Sequence, residues 1–220
     1  MCNNKLHPKL LAIYKFIFYV SKLLVLLDKN KITFHNENMK KLNAMNYKNV
    51  NFCLRCGHKL ELKKDSENKL RPHCPACHWV YYKNPIPAVA IVLFNENNEL
   101  LLVKRRNQPK AGFWALPSGY MEINLTPEEN AIQELEEETG LKGKIMHCVG
   151  WYYGNSPIYE RILSIGFRMK AIGGKLQAGD DAEEAEFYPL YNLPVIAFDA
   201  HRDFISKELA TNQLYLKANQ

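Results

Sequence analysis

"LPSGYMEINLTPEENAIQELEEETGL" (residues 116–141) is the stretch on which the fold turns. It passes from a Pro-Ser-Gly turn through a helix-start signal to Glu134, Glu136, Glu137 and Glu138, with Gly140 close behind. Thr126 is an N-cap type, Pro127 suits the first helical position and Glu129 completes a Thr-x-x-Glu capping box. Gly140 is a natural stop, so a helix is predicted near 127–139. Positions three and four apart share a helix face, which makes Glu134, Glu137 and Glu138 converge. Like charges at that spacing repel, and a hard divalent cation relieves them; Mg²⁺ is held by a few carboxylates together with water and substrate phosphate. A solvated acidic face has the same pattern, and the helix alone leaves both readings open.

Upstream, "AVAIVLF" (88–94) and "ELLLVKR" (99–105) flank a polar turn at 95–98 and read as a β-hairpin. Downstream, strands are predicted at 144–153, 161–171 and 185–190, with a polar loop at 173–184 and a last helix over 199–210. Strands mixed with two helices imply a sheet covered on both faces. Cys148 falls within a predicted strand and is expected to be a small buried hydrophobe. His147 and His201 are assigned no role.

Cys53-x-x-Cys56 and Cys74-x-x-Cys77 are separated by 17 residues. Each pair brings two sulfurs together, and two pairs close a tetrahedron around one zinc ion. His58, His73 and His78 lie nearby as alternative ligands, but four cysteines complete the shell. A closed shell leaves no position for water, so the zinc is read as structural; a short module with few large apolar residues needs such a staple. The module is expected to serve structure or dimerisation. A nucleic-acid-binding ribbon is the alternative, and only modest basicity supports it. Thiols kept for metal point to a reducing, cytoplasmic setting.

With Gly112-x-Trp114 and Leu116-Pro117-Ser118-Gly119 before the helix and Gly140-Leu141 after it, the sequence resembles the Nudix hydrolase family. That family's box reads G-x5-E-x7-R-E-U-x-E-E-x-G-U, with U aliphatic, and this chain supplies Gly119, Glu134, Leu135, Glu137, Glu138, Gly140 and Leu141. The four-cysteine ribbon followed by "YYKNP" is similar to a ribbon-bearing subgroup that includes enzymes acting on FAD and ADP-ribose. The resemblance implies an α/β fold, a Nudix-type α/β/α sandwich with a mixed sheet, preceded by the small zinc ribbon. The implied boundaries are 1–50 for a basic N-terminal extension and linker, 51–83 for the ribbon and 84–220 for the Nudix domain.

The resemblance also implies an activity: metal-dependent hydrolysis of the diphosphate bond in a nucleoside diphosphate linked to another moiety, such as FAD, ADP-ribose or NADH. Catalytic Mg²⁺ or Mn²⁺ would be held by Gly119 (through its carbonyl), Glu134, Glu137 and Glu138. Glu184, or its neighbour Glu183, would be the general base. Arg105 and Arg106 are candidates for gripping phosphate with paired donors. Phe113, Trp114, Trp151 and Tyr152 are either base-stacking or core aromatics. Two positions depart from the box. Leu125 stands where its first glutamate belongs and Gln133 where its arginine belongs. The leucine removes a carboxylate, which Glu122 would have to replace. The glutamine only partly mimics an arginine that orients a carboxylate. A nucleotide-binding or sensing protein with weakened turnover is therefore the alternative function.

The net charge of +6 belongs to the N-terminus. Residues 1–48 hold nine lysines and two acidic residues, and the remainder is close to neutral. This counts against a nucleic-acid groove in the body. Residues 10–27 are apolar but interrupted by Lys15 and Lys22, which is costly for a membrane span. An amphipathic helix on a membrane surface is one reading of them; the favoured readings are a helix packed on the body or residues upstream of the natural start, since Met39 and Met45 stand just before the first recognisable domain. The expected ligand is a nucleotide-derived small molecule, and a homodimer is compatible with the sequence.

Overall fold

The computed structural model describes residues 50–218. The apolar stretch 10–27 and its membrane or packing readings lie outside the described residues. Contacts divide the chain into Met1–Lys48 and Asn49–Gln220, and everything below concerns the second unit.

The ribbon is a small antiparallel hairpin, β1 (Glu61–Lys64) and β2 (Leu70–His73), with Glu61 opposite His73 and Lys64 opposite Leu70. Asp65 shapes its turn, accepting from the backbone N–H groups of Glu67 and Lys69 and from Arg71 Nε. The body follows with β3 (Ile86–Leu93), β4 (Leu100–Arg105), β5 (Trp114–Ala115) and β6 (Ser118–Tyr120). Helix α1 (Pro127–Thr139), β7 (Leu141–Ser156), β8 (Glu160–Gly174), β9 (Ala182–Tyr188) and α2 (Asp199–Ala218) complete it.

Two sheets form. One has the order β6-β3-β8-β7, in which β3 and β8 run parallel and the other pairs antiparallel; the other has the order β5-β4-β9. The sheet is therefore mixed, as the resemblance implies. One apolar cluster packs α1 against β3, β7 and β8 through Ala131, Leu135, Val89, Ile91, Phe167 and Met169. A second packs α2 through Ala200, Phe204 and Ile205 against Ala90, Val92, Leu100 and Leu102. Alternate residues of β3 thus serve opposite faces, and helices cover both.

The hairpin expected over 88–105 is not one. Asn95 and Asn98 close a tight turn, with Asn98 at φ 59°, and a single bridge joins Phe94 to Leu100. Beyond it the strands separate into different sheets. Ala88–Leu93 and Leu100–Val103 are buried throughout, so each is a central strand that needs two neighbours. A lone hairpin would leave each with an open edge. The polar loop expected at 173–184 is also shorter, because β8 continues to Gly174 and β9 begins at Ala182.

Candidate metal and phosphate site

Helix α1 forms as the sequence predicts. Thr126 accepts from the Glu129 N–H, Glu129 accepts from the Thr126 N–H, and Gly140 takes φ 68°. A Cβ on Gly140 would lie 2.6 Å from the Lys175 carbonyl oxygen, so the stop is set by tertiary approach as well as by handedness.

The glutamates of this helix sit in unequal surroundings. Glu138 is 6% exposed and its Oε2 accepts from the Ser118 N–H at 2.9 Å. Glu134 lies so close over Gly119 that a Cβ there would come within 1.9 Å of its Oε1. Glu137 is exposed, and its Oε1 accepts from Gln133 Nε2 at 2.8 Å. The glutamine at the box arginine's position thus holds a carboxylate, with one donor. Among the described residues, the four cysteines are the one group of His, Cys, Asp or Glu whose ligand atoms all gather within 4.8 Å. The three glutamates share a face without closing so tightly.

Burial pushes the Glu138 carboxyl up to about 8, against the Ser118 hydrogen bond, and the charge of Glu134 adds to the rise. Burial also pushes Glu134 up to about 7, helped by the charges of Glu137 and Asp180. Two carboxyls raised by burial and by neighbouring negative charges suit a divalent cation, which supplies the missing positive charge. On that chemistry the donor set fits Mg²⁺ or Mn²⁺.

Arg105 faces the site and its charge draws the Glu138 pKa back down, while its Nε donates to the Pro109 carbonyl. Arg106 turns away and donates to the carbonyls of Asp180 and Ala182, tying down the 180–182 loop. Glu184 is engaged by Lys104 at 2.6 Å, with Glu183 at 3.7 Å from the same ammonium. The charges of Asp180 and Asp181, in the loop before β9, help to raise Glu134. Leu125 is half-buried, and Glu122 is exposed.

Sequence reasoning missed Asn130. It is buried mid-helix; its Oδ1 accepts from the Glu122 N–H and its Nδ2 reaches the Tyr120 carbonyl, so it clamps the loop after Gly119 to α1. An asparagine inside a helix is a poor helix former, and that was its available signal. His201, also unassigned from sequence, is buried, and its Nδ1 accepts from the Leu116 N–H at 3.1 Å. Cys148 is exposed, contrary to expectation, because it lies on edge strand β7 between two register shifts. Trp151 is 68% exposed, whereas Trp114 packs edge-on against Tyr188.

At the ribbon, Cys53 Sγ lies 3.5 Å from Cys77 Sγ and Cys56 Sγ 3.4 Å from Cys74 Sγ. The Cys77 N–H donates to Cys74 Sγ, and this bond leads in drawing the Cys74 thiol down to about 7. Sulfurs crossed in this way, with amide donors turned toward them, fit a tetrahedral zinc shell.

A family model described as NUDIX domain matches residues 84–207, and one described as Nudix N-terminal, a zinc ribbon, matches 51–83. The chain belongs to the Nudix family. This Nudix hydrolase is 46% identical over 117 residues to the ADP-ribose pyrophosphatase of Methanocaldococcus jannaschii, covering 51% of this chain and 68% of that protein. It is 25% identical over 150 residues to the NAD-capped RNA hydrolase NudC of Vibrio atlanticus, covering 67% of this chain and 52% of the relative, so it spans about half that relative's length. Among solved structures, a NUDIX hydrolase from Nitrosomonas europaea superposes with a TM-score of 0.63 at 30% identity, covering 71% of this chain and 88% of that one. The Nudix box of this enzyme is the Gly119–Leu141 segment, and its altered letters are Leu125 and Gln133.

Proposed function

We propose that this Nudix hydrolase is a divalent-metal-dependent pyrophosphatase that cleaves the diphosphate bond of a nucleoside diphosphate linked to a second moiety. ADP-ribose is the leading substrate class, with NAD-type and FAD-type dinucleotides next. The 46% identity to an ADP-ribose pyrophosphatase supports the class. The observation that carries the reading is the placement of Glu134 and Glu138 against the Ser118–Gly119 turn, where burial raises both carboxyls.

Glu134, Glu137, Glu138 and the Gly119 carbonyl would hold Mg²⁺ or Mn²⁺. The ion would supply Lewis acidity toward a phosphate oxygen and lower the pKa of a bound water. The chain's own residues set the rest. Ser118 fixes Glu138 through its N–H, and Gln133 fixes Glu137. Arg105 presents positive charge to the same cleft, where a bridging diphosphate would lie, while Arg106 supports the loop that borders it. For the proton of the attacking water, Glu184 is the base that the family resemblance implies, and it must first release Lys104. Asp181 competes for that role because Glu134 and Glu138 already feel its charge.

The four cysteines would hold zinc structurally, and thiols kept for that purpose suit the cytoplasm. The weakened-sensor reading rests on Leu125 alone, since Gln133 retains a carboxylate partner.

The test uses zinc-loaded full chain with Mg²⁺ or Mn²⁺ and a panel of ADP-ribose, NADH and FAD. AMP release that is lost in Glu138→Gln and Glu137→Gln supports the enzyme. Tight nucleotide binding with no AMP would replace it with the sensor. Glu184→Gln and Asp181→Asn, compared across pH, separate the two bases.

A further inference from the structure

The ladder of β4 with β5 ends at Val103 opposite Ala115, and that of β3 with β6 begins at Ala90 opposite Ser118. Leu116 and Pro117 are therefore a two-residue bridge on which the chain crosses from the three-stranded sheet to the four-stranded one. Both are buried. Proline has no N–H, so the Leu116 amide is the bridge's one donor. Its acceptor comes from neither sheet but from His201 Nδ1 on α2, 85 residues on. The Pro117 carbonyl accepts from the Ile91 N–H, and the next amide, Ser118, donates to Glu138.

We propose that His201 is a positioning residue for the Nudix site: by accepting the Leu116 N–H it fixes the 116–119 crossing, which in turn holds Glu138 and presents Gly119 to Glu134. Three elements pin this crossing, namely α2 through His201, β3 through Ile91 and α1 through Glu138. The β3 contact is backbone to backbone, so the two side-chain pins are His201 and the carboxylate itself. The imidazole is held in place edge-on to Phe198, with ring centroids 5.1 Å apart, and the Arg105 guanidinium lies over that same Phe198 ring at 5.0 Å. Burial, with Arg105 and Arg202 nearby, draws the imidazole down to about 3. The Nδ1 lone pair is therefore available throughout the neutral range, and the bond to Leu116 does not switch with pH. Accepting at Nδ1 leaves the proton on Nε2.

A buried histidine that merely fills the core would serve stability alone. A positioning histidine transmits to Glu138, and the acceptor at Nδ1 is what matters. The inference rests on the proposed hydrolase reading for its kinetic arm only. His201→Asn carries an amide oxygen close to the place of Nδ1, His201→Gln carries one nearer Nε2, and His201→Phe keeps the ring shape with no acceptor. His201→Phe should lower kcat on ADP-ribose about 10- to 100-fold and raise the metal concentration at half-maximal rate, with the substrate KM little changed. His201→Asn should recover most of this, and His201→Gln should not.

Hydrogen exchange read by NMR on the full chain should show protection lost at both Leu116 and Ser118 in His201→Phe. In the parent, the His201 ring nitrogens should keep the Nε2–H pattern from pH 5 to 8. Parent kcat and metal midpoint in a folded, zinc-loaded His201→Phe would overturn the proposal, as would equal kinetics in His201→Asn and His201→Gln. Should His201→Phe not fold, that pair decides alone. Should the parent release no AMP, the hydrolase reading fails by itself; Ser118 protection in the variants then still decides this one, its survival overturning the inference and its loss supporting it.

Discussion

The two candidate metal sites, the cysteine ribbon and the glutamate helix, have opposite relations to the hydrophobic core. Between residues 51 and 83 the only buried residues are Cys53 and Cys74, while Phe52, Leu54, Leu62 and Leu70 remain exposed. The ribbon's buried interior is two of its four cysteines. Glu134 and Glu138 stand on a helix whose Ala131 and Leu135 are completely buried against a sheet. There the core holds the ligands in a place that charge alone would avoid. On the proposed reading, the ribbon would need a metal to fold, and the Nudix site would use the fold to hold carboxylates in a place that costs stability.

Zinc removal gives the largest contrast. Chelation, or Cys74→Ser, should unfold the ribbon and expose its amides to exchange, while the β3–β8 amides of the body stay protected. Loss of body protection at the same chelator concentration would erase the distinction.

Gly119→Ala comes next. Its Cβ would meet the Glu134 carboxylate at 1.9 Å, so that side chain must leave and turnover should fall about 100-fold or more. Thermal unfolding should move little, because Glu134 is only partly buried. A variant with parent kcat would show that Glu134 works from elsewhere.

Third is the pH dependence of the metal-free protein. Carboxyls raised in the folded state bind protons more tightly there than in the unfolded chain. Their contribution to stability is full below the ordinary value of 4.5 and is lost as pH rises through about 7 for Glu134 and about 8 for Glu138. Melting in the absence of divalent ions should fall over that window. Mg²⁺ should restore it more at pH 8.5 than at pH 6, and Glu138→Gln should flatten the metal-free slope while abolishing most turnover. An unchanged slope in Glu138→Gln would move the titration to other groups.

The altered box letters give smaller effects. Leu125→Glu with Gln133→Arg should raise kcat several-fold if the missing groups limit the rate, read as AMP release at saturating substrate. Gln133→Ala removes only an exposed i,i+4 contact and should cost about 0.3 kcal/mol in denaturant unfolding. A cost several times larger would mean that the Gln133–Glu137 pair is buried in solution by a contact not yet accounted for.

Helix α1 was legible to the residue because its cap, its proline and its stop act within a few positions. The cysteine quartet was legible because ligand spacing is a local matter, and the box because its letters recur in one register. The inequality of the three glutamates was not legible. Helical spacing puts them on one face, but only the Ser118–Gly119 turn, arriving from another sheet, buries Glu138 and leaves Glu137 in solvent. Lys104 captures Glu184 across the β4–β9 pairing, and loop charge alone could not announce that. Cys148 had an apolar pattern and sits exposed because β7 is an edge strand.

By itself the sequence determined the capped acidic helix, the four-thiol ribbon, the family and the position of the charge excess, since each is written in residues within a turn or two of one another or in a fixed spacing. Only the tertiary structure decided that 88–94 and 99–105 go to different sheets, that Asn130 and His201 brace the turn facing the glutamates, and which carboxylates are dry. Those outcomes depend on chain segments tens of residues apart meeting in one place, and neither pairing partner nor burial is encoded in the local pattern of either segment.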